Sequence, residues 1–161
     1  MTKEQLGQLI LSSERQMYAT AKTILVSDYD CADAIQEAIV KAFAKYHTLK
    51  KDCYARTWLM RILINECYNI CRRESRKVSM EEADIESAAN AEEKKDYSEL
   101  YRAVNELKEE LRIPVLLYYM EDFSVKEIAQ ILDITEGAVR KRLAKAREKL
   151  RASINIEEVF A

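Results

Sequence analysis

An all-α fold is predicted by three features of the 161-residue sequence. Glycine and proline together supply only three residues, where ordinary usage of about 12% gives roughly 19. Hairpins, sandwich corners and glycine-rich phosphate loops need those residues, so a β-rich fold and a Rossmann or P-loop architecture are excluded. Apolar residues recur at helical spacing behind repeated capping signals. A charged fraction of 34% beside a hydrophobic fraction of 48% suits helices with one solvated face.

The elements follow in order. Thr2 with Gln5 forms a capping box ahead of Leu6, Leu9, Ile10, Met17, Ala21 and Ile24, which predicts one long first helix. Asp30 is the expected cap of a second helix that buries Ala34, Ile35, Ala38, Ile39, Ala42 and Phe43. A polar stretch from His47 to Tyr54 precedes a third helix over about Ala55 to Arg73, with Trp58, Leu59, Ile62, Leu63, Tyr68 and Ile70 on its apolar side. From Glu74 to about Asp96 the chain turns acidic and small, and reads as a flexible linker. Beyond it, Leu100, Val104, Leu107 and Leu111 keep helical spacing, and Pro114 is expected to open a short helix from its favoured first position. Ser124 and Glu127 form a second capping box. Thr135 is the predicted cap of a last helix with Val139, Leu143, Ala146 and Leu150 as its stripe.

Two short helices joined by about three residues are the helix-turn-helix layout. Ala129 is small where the helices approach, and Val139 plugs the space between them. Asp133 occupies the turn that usually takes Gly, because Asp also tolerates the left-handed region. Residues Gly137 to Arg151 carry seven basic side chains and one acid, on the element that enters a major groove. The third helix, Arg56 to Arg73, has four arginines and one acid, with Trp58 and Tyr68 interleaved, a composition suited to unstacked bases. The net charge of −2 therefore conceals two basic surfaces of +3 (56–73) and +4 (124–151), offset by −5 over residues 74–99.

Other chemistries find little support. No apolar run approaches the roughly 18 residues a membrane span needs, and the first residues lack a secretion-signal layout, so a cytoplasmic protein without membrane insertion is expected. Cys31, Cys53, Cys67 and Cys71 read as free thiols. Cys67 and Cys71 share a helix face, but a zinc site wants four ligands, and His47 is the sole histidine. No nucleophile has a base at recognisable spacing, so no catalytic residue, metal or cofactor is expected.

Three stretches together resemble the extracytoplasmic-function (ECF) group of bacterial RNA polymerase sigma factors, over about residues 15–152 apart from the linker. ADAIQEAIVKAFAKY is similar to that family's polymerase-clamp helix, RTWLMRILINECYNICRR to its promoter-melting helix, and FSVKEIAQILDITEGAVRKRLAKAREKLR to its −35-reading helix-turn-helix. The resemblance implies a region 2 domain over 1–74, a linker over 75–96 and a region 4 domain over 97–161. It implies that Asp33, Gln36 and Glu37 meet the β′ clamp of core RNA polymerase and that region 4 meets the β flap. It assigns Asn65 to a flipped −10 base, the loop bearing His47, Lys50 and Lys51 to the lining of that pocket, and Arg61, Arg72 and Arg73 to strand phosphates. Thr135, Glu136, Arg140, Lys141, Arg142, Lys145 and Arg147 fall to the −35 element. An anti-sigma partner is also implied. Ala55 departs from the family's usual aromatic, Asn69 stands where Asp is common, and Ala144 is small within the reading face. The rival reading is an operator-binding regulator using the same helix-turn-helix; it leaves the Asp33, Gln36 and Glu37 cluster without a role.

Overall fold

The computed structural model describes residues 1–78 and 98–153. Its elements are α1 (Lys3–Ser12), α2 (Glu14–Ile24), α3 (Asp28–Lys45), α4 (Ala55–Val78), α5 (Ser98–Glu106), α6 (Glu109–Val115), α7 (Val125–Leu132) and α8 (Glu136–Ser153). No strand occurs among the described residues. The expected linker falls mostly outside them, as does the tail beyond Ser153.

Local chemistry sets most boundaries. The Thr2–Gln5 capping box forms, with Thr2 Oγ1 accepting the Gln5 N–H at 3.1 Å and Gln5 returning the bond at 2.9 Å. The single long first helix does not form. It breaks at Ser12-Ser13, where the Ser12 hydroxyl donates to the Leu9 carbonyl and competes with the helical ladder. The cap of α3 is Ser27 rather than Asp30: the Ser27 hydroxyl accepts the Asp30 N–H at 3.3 Å. Asp28 and Asp30 then sit in the first turn, where the helix dipole favours acids. Asp28 also ties the α2–α3 corner, accepting from the Tyr18 hydroxyl and from Lys22 Nζ at 2.7 Å.

Packing in the first block rests on small side chains. Ala34, Ala38 and Ala42 of α3 are fully buried, which lets α4 approach closely with Leu59, Met60, Leu63 and Ile64. Ile35 and Ile39 are only half-buried and Phe43 is exposed, so the buried face of α3 is narrower than its apolar content implied. Lys41 of α3 pairs with the buried Glu66 of α4 and fixes the rotation of one helix on the other.

In the second block the spacing from Leu100 to Leu111 does not make one helix. Lys108 turns extended (φ −56°, ψ 145°), leaving Leu100 nearly half exposed while Leu107 and Leu111 go inside. Pro114 is not the first residue of its helix but lies within α6. It removes one backbone donor and crowds the carbonyl four residues back. Past it the chain widens into a π turn over Leu116–Met120, closed by the Glu121 N–H on the Leu116 carbonyl at 3.1 Å. The Ser124–Glu127 capping box starts α7 with both bonds at 3.1 Å. Asp133 ends it in the left-handed region (φ 56°, ψ 47°), as its place in the turn required.

The two blocks are packed against each other. Their buried side chains form one continuous core, and α4 lies against α7 as well as against α3. Arg56 joins them: its guanidinium lies 4.4 Å from the ring centre of the buried Phe123, Nη2 donates to the Glu121 carbonyl at 3.2 Å, and Nε donates to Gln16 Oε1 at 3.0 Å. Gln16 itself donates to the same Glu121 carbonyl at 3.3 Å.

Burial pushes the Cys67 thiol up to about 12, with smaller contributions from Cys31 and Cys71. Burial likewise raises Tyr68 to about 12, helped by the Glu109 carboxylate. Both groups are neutral when protonated, so the folded chain holds these protons more tightly than the unfolded chain. Their stabilisation is complete below the ordinary Cys value of about 8.5 and is lost as pH rises toward 12. The melting temperature is expected to fall steadily above pH 9, and Cys67→Ala to flatten the first part of that fall. Thiol labelling of the native protein at pH 8 is expected to mark the exposed Cys53 first and Cys67 last.

Candidate nucleic-acid interface

Helix α4 carries one solvated stripe. Arg61, Asn65, Asn69, Arg72 and Arg73 are exposed along it at helical spacing, while Leu59, Met60, Leu63, Ile64 and Cys67 face inward. Trp58 and Tyr68 are half-buried and packed on the core, so they are not free platforms for bases. Tyr68 faces the second block, where Glu109 and Arg142 are its electrostatic neighbours. Arg61 Nη2 lies 3.5 Å from the Asp133 carboxylate of the helix-turn-helix, and Arg73 Nη2 lies 3.9 Å from Asp33 of α3.

His47, Lys50 and Lys51 are exposed on a loop of two short 3-10 turns, Tyr46–Thr48 and Asp52–Tyr54. Among the described residues no hydrogen bond or ion pair joins this loop to Asn65, which lies about 15 Å along the helix from Ala55 at 1.5 Å per residue. On α3, Gln36 and Glu37 are exposed and Asp33 is half-buried. Val40 (63% exposed) and Phe43 (38%) continue the same face toward its C-terminal end. Phe43 was expected on the buried face because a helical apolar residue ordinarily reads as core, and Val40 had been assigned to neither face.

In α8, Val139 and Leu143 are buried and the basic residues divide into two groups. Arg142 turns back to Glu110 of α6 at 3.5 Å. Arg147 Nε donates to the Tyr119 hydroxyl at 2.6 Å and lies over that ring. Arg140 pairs loosely with Glu136 one turn earlier, at 4.0 Å. Lys141 and Lys145 are exposed and have no ionic partner among the described residues. They line a cleft of about 310 Å³ between α8 and the start of α6, with Lys108, Lys149, Arg142, Glu110, Leu111 and Ala138 as its other walls. One acid among five cations makes this cleft an anion-accepting surface. Lys108 and Lys149 were not among the expected DNA contacts; Lys149 belongs to the same basic run, whereas only the fold brings Lys108 beside it.

Thr135 caps α8 by accepting the Ala138 N–H at 3.1 Å. A basic surface on the second helix of a helix-turn-helix, with a stripe of arginine and asparagine on another helix, is the composition of a nucleic-acid-binding protein. Comparison with known proteins gives that class its family. Residues 9–77 match Sigma-70 region 2 and residues 97–150 match Sigma-70, region 4. The ECF RNA polymerase sigma-E factor of Haemophilus influenzae is 30% identical over 162 residues, covering 91% of this chain and 86% of that one. The RNA polymerase sigma factor SigV of Bacillus subtilis is 26% identical over 160 residues, covering 98% and 96%. The sigma factor RpoE of Bartonella quintana, solved with the anti-sigma factor NepR, superposes with a TM-score of 0.81 at 25% identity, covering 93% of this chain and 96% of that one. CnrH, solved with the cytosolic domain of CnrY, shares the fold with a TM-score of 0.68, 22% identity and coverage of 94% and 88%. The chain belongs to the ECF group of the sigma-70 family, whose members direct promoter-specific transcription.

Removing the α8 cap tests how far the reading helix depends on it. Thr135→Ala is expected to lower stability by about 1 kcal/mol, read as a shift in the urea midpoint with unchanged slope.

Proposed function

We propose that the chain acts as a dissociable initiation subunit in the cytoplasm, with no catalytic step of its own, and that its three exposed surfaces divide the work. Asp33, Gln36 and Glu37, extended by Val40 and Phe43, dock α3 on the clamp of core RNA polymerase. Asn65 takes an unstacked −10 base, because its amide can bond a base edge in two places. Arg61, Arg72 and Arg73 hold strand phosphates, and the loop of His47, Lys50 and Lys51 lines the approach. Unstacking costs a few kcal/mol, offset by these pocket and phosphate contacts.

On the duplex side, Thr135, Glu136 and Arg140 stand at the reading end of α8, with Lys141 and Lys145 beside them. Lys108 and Lys149 extend the phosphate track along the basic cleft. Arg142 and Arg147 contribute by bracing α8 against α6 and Tyr119, unless DNA draws them away. The observation that carries the reading is the basic edge of α8, where Lys141 and Lys145 have no ionic partner among the described residues, in a chain that also bears the Asn65 stripe; an operator-binding regulator has no use for the second. Solved relatives in complexes with NepR and CnrY support an anti-sigma partner for this chain too.

Run-off transcription with purified core polymerase on a library of native promoters tests this. A promoter-dependent product is expected, reduced about tenfold by Asn65→Ala, the loss of one bidentate base contact. Absence of any such product overturns the reading. In binding titrations with holoenzyme, Lys108→Ala and Lys149→Ala are each expected to lower the salt slope by about 1 without altering sequence preference.

A further inference from the structure

We propose that Lys41 and Glu66 are positioning residues for base capture: their ion pair across the α3–α4 seam fixes the rotation of α4, and with it the place of the Asn65 amide, relative to the helix that docks on polymerase. The proposal rests on the promoter-binding reading above.

Stability does not account for the pair. Glu66 is the one acid between Arg56 and Arg73, and its side chain is only 9% exposed. Burying a carboxylate is costly, and a buried ion pair is commonly matched or bettered by apolar side chains of the same volume. The same helix shows what such positions ordinarily take, since Leu59, Met60, Leu63 and Ile64 are buried beside it. What an ion pair adds is direction.

The seam lacks direction otherwise. Ala34, Ala38 and Ala42 form the α3 side, and a row of methyl groups lets a helix approach closely without interlocking ridges and grooves. Lys41 Nζ donates to Glu66 Oε1 across that seam. The Arg73–Asp33 pair also joins the two helices, about two turns further along, but at 3.9 Å and with both side chains well exposed it constrains little.

Direction matters because the reading group is on a lever. Asn65 precedes Glu66, so the two side chains leave α4 about 100° apart, and holding one places the other. An amide about 6 Å from the axis moves about 2 Å when its helix turns by roughly 20°. Hydrogen-bond lengths span only about 0.5 Å, so a two-point contact with a base edge does not survive that shift. On α3, Lys41 stands one turn after Glu37 and next to Val40. The pair therefore reaches from the docking face of one helix to the reading face of the other.

Two double variants of the full chain test this, and neither changes a proposed polymerase or DNA contact. Lys41→Met with Glu66→Leu replaces the pair by apolar side chains of similar volume. Lys41→Arg with Glu66→Asp keeps a pair of similar span. Holoenzyme transcribes templates carrying each base at each −10 position, and the position read by Asn65 is the one whose preference Asn65→Ala removes. There the wild type is expected to prefer one base about tenfold. The apolar variant is expected to fall to about twofold while its urea midpoint and its affinity for core polymerase stay at wild-type values, and the charged variant to keep the preference. A merely structural pair would lower the midpoint and every transcript alike. Full preference in the apolar variant, equal loss in both variants, or a preference that Asn65→Ala leaves untouched at every position overturns the proposal. If the wild-type holoenzyme gives no promoter-dependent product, the promoter reading falls instead, and the free chain still reports on the pair. Spin labels are placed through Ala44→Cys and Asn69→Cys, both exposed, in a Cys53→Ser, Cys71→Ser background. Their distance distribution is expected to broaden about twofold in the apolar variant alone, as a lever of that length implies; an unchanged distribution overturns the pair's hold on α4.

Discussion

Helix α4 is packed on two sides at once, and the rest of the molecule is arranged around that constraint. One side meets the alanine face of α3; another meets α7 of the second block. With 3.6 residues per turn, a helix covered on two sides has room for only a narrow solvated stripe. Arg61, Asn65, Asn69, Arg72 and Arg73 fill it. The pair between half-exposed Lys41 and buried Glu66 sets the rotation that keeps the stripe outward, so an ion pair between two packed helices governs where the Asn65 amide points.

The parts of this arrangement that were legible in the sequence are those decided within a few residues. Both capping boxes, the three-residue turn and the left-handed Asp133 depend on near neighbours, and near neighbours are printed in order along the chain. Proline at position 114 was misleading because its preference for a first turn is statistical, whereas the break at Lys108 that starts α6 earlier answers to burial of Leu107 and Leu111. The Ser12-Ser13 break competes with an uninterrupted apolar series and leaves only a pair of hydroxyls as its signal.

The site was legible in a different proportion. Spacing alone named the basic residues outside the apolar stripe of α8, whereas Asn65 and the Asp33, Gln36 and Glu37 cluster were named through the family resemblance. Which cations are already engaged could not be named, since their partners stand far off in sequence: Asp133 for Arg61, Glu110 for Arg142, Tyr119 for Arg147. Summing charge over segments located the two basic surfaces but not their state of pairing. Lys108 illustrates the converse. It sits in an acidic stretch that nothing marks as a binding element, and only the fold of α6 onto α8 brings it beside Lys149.

The Arg61–Asp133 pair also bears on ion bookkeeping in solution. A phosphate that binds a free guanidinium releases condensed cations from the nucleic acid. Here the guanidinium is already paired with an exposed carboxylate, so an incoming anion has to displace that partner. Any anion that Arg61 takes is taken in exchange for Asp133, so the charge this helix offers is smaller than its count of arginines implies.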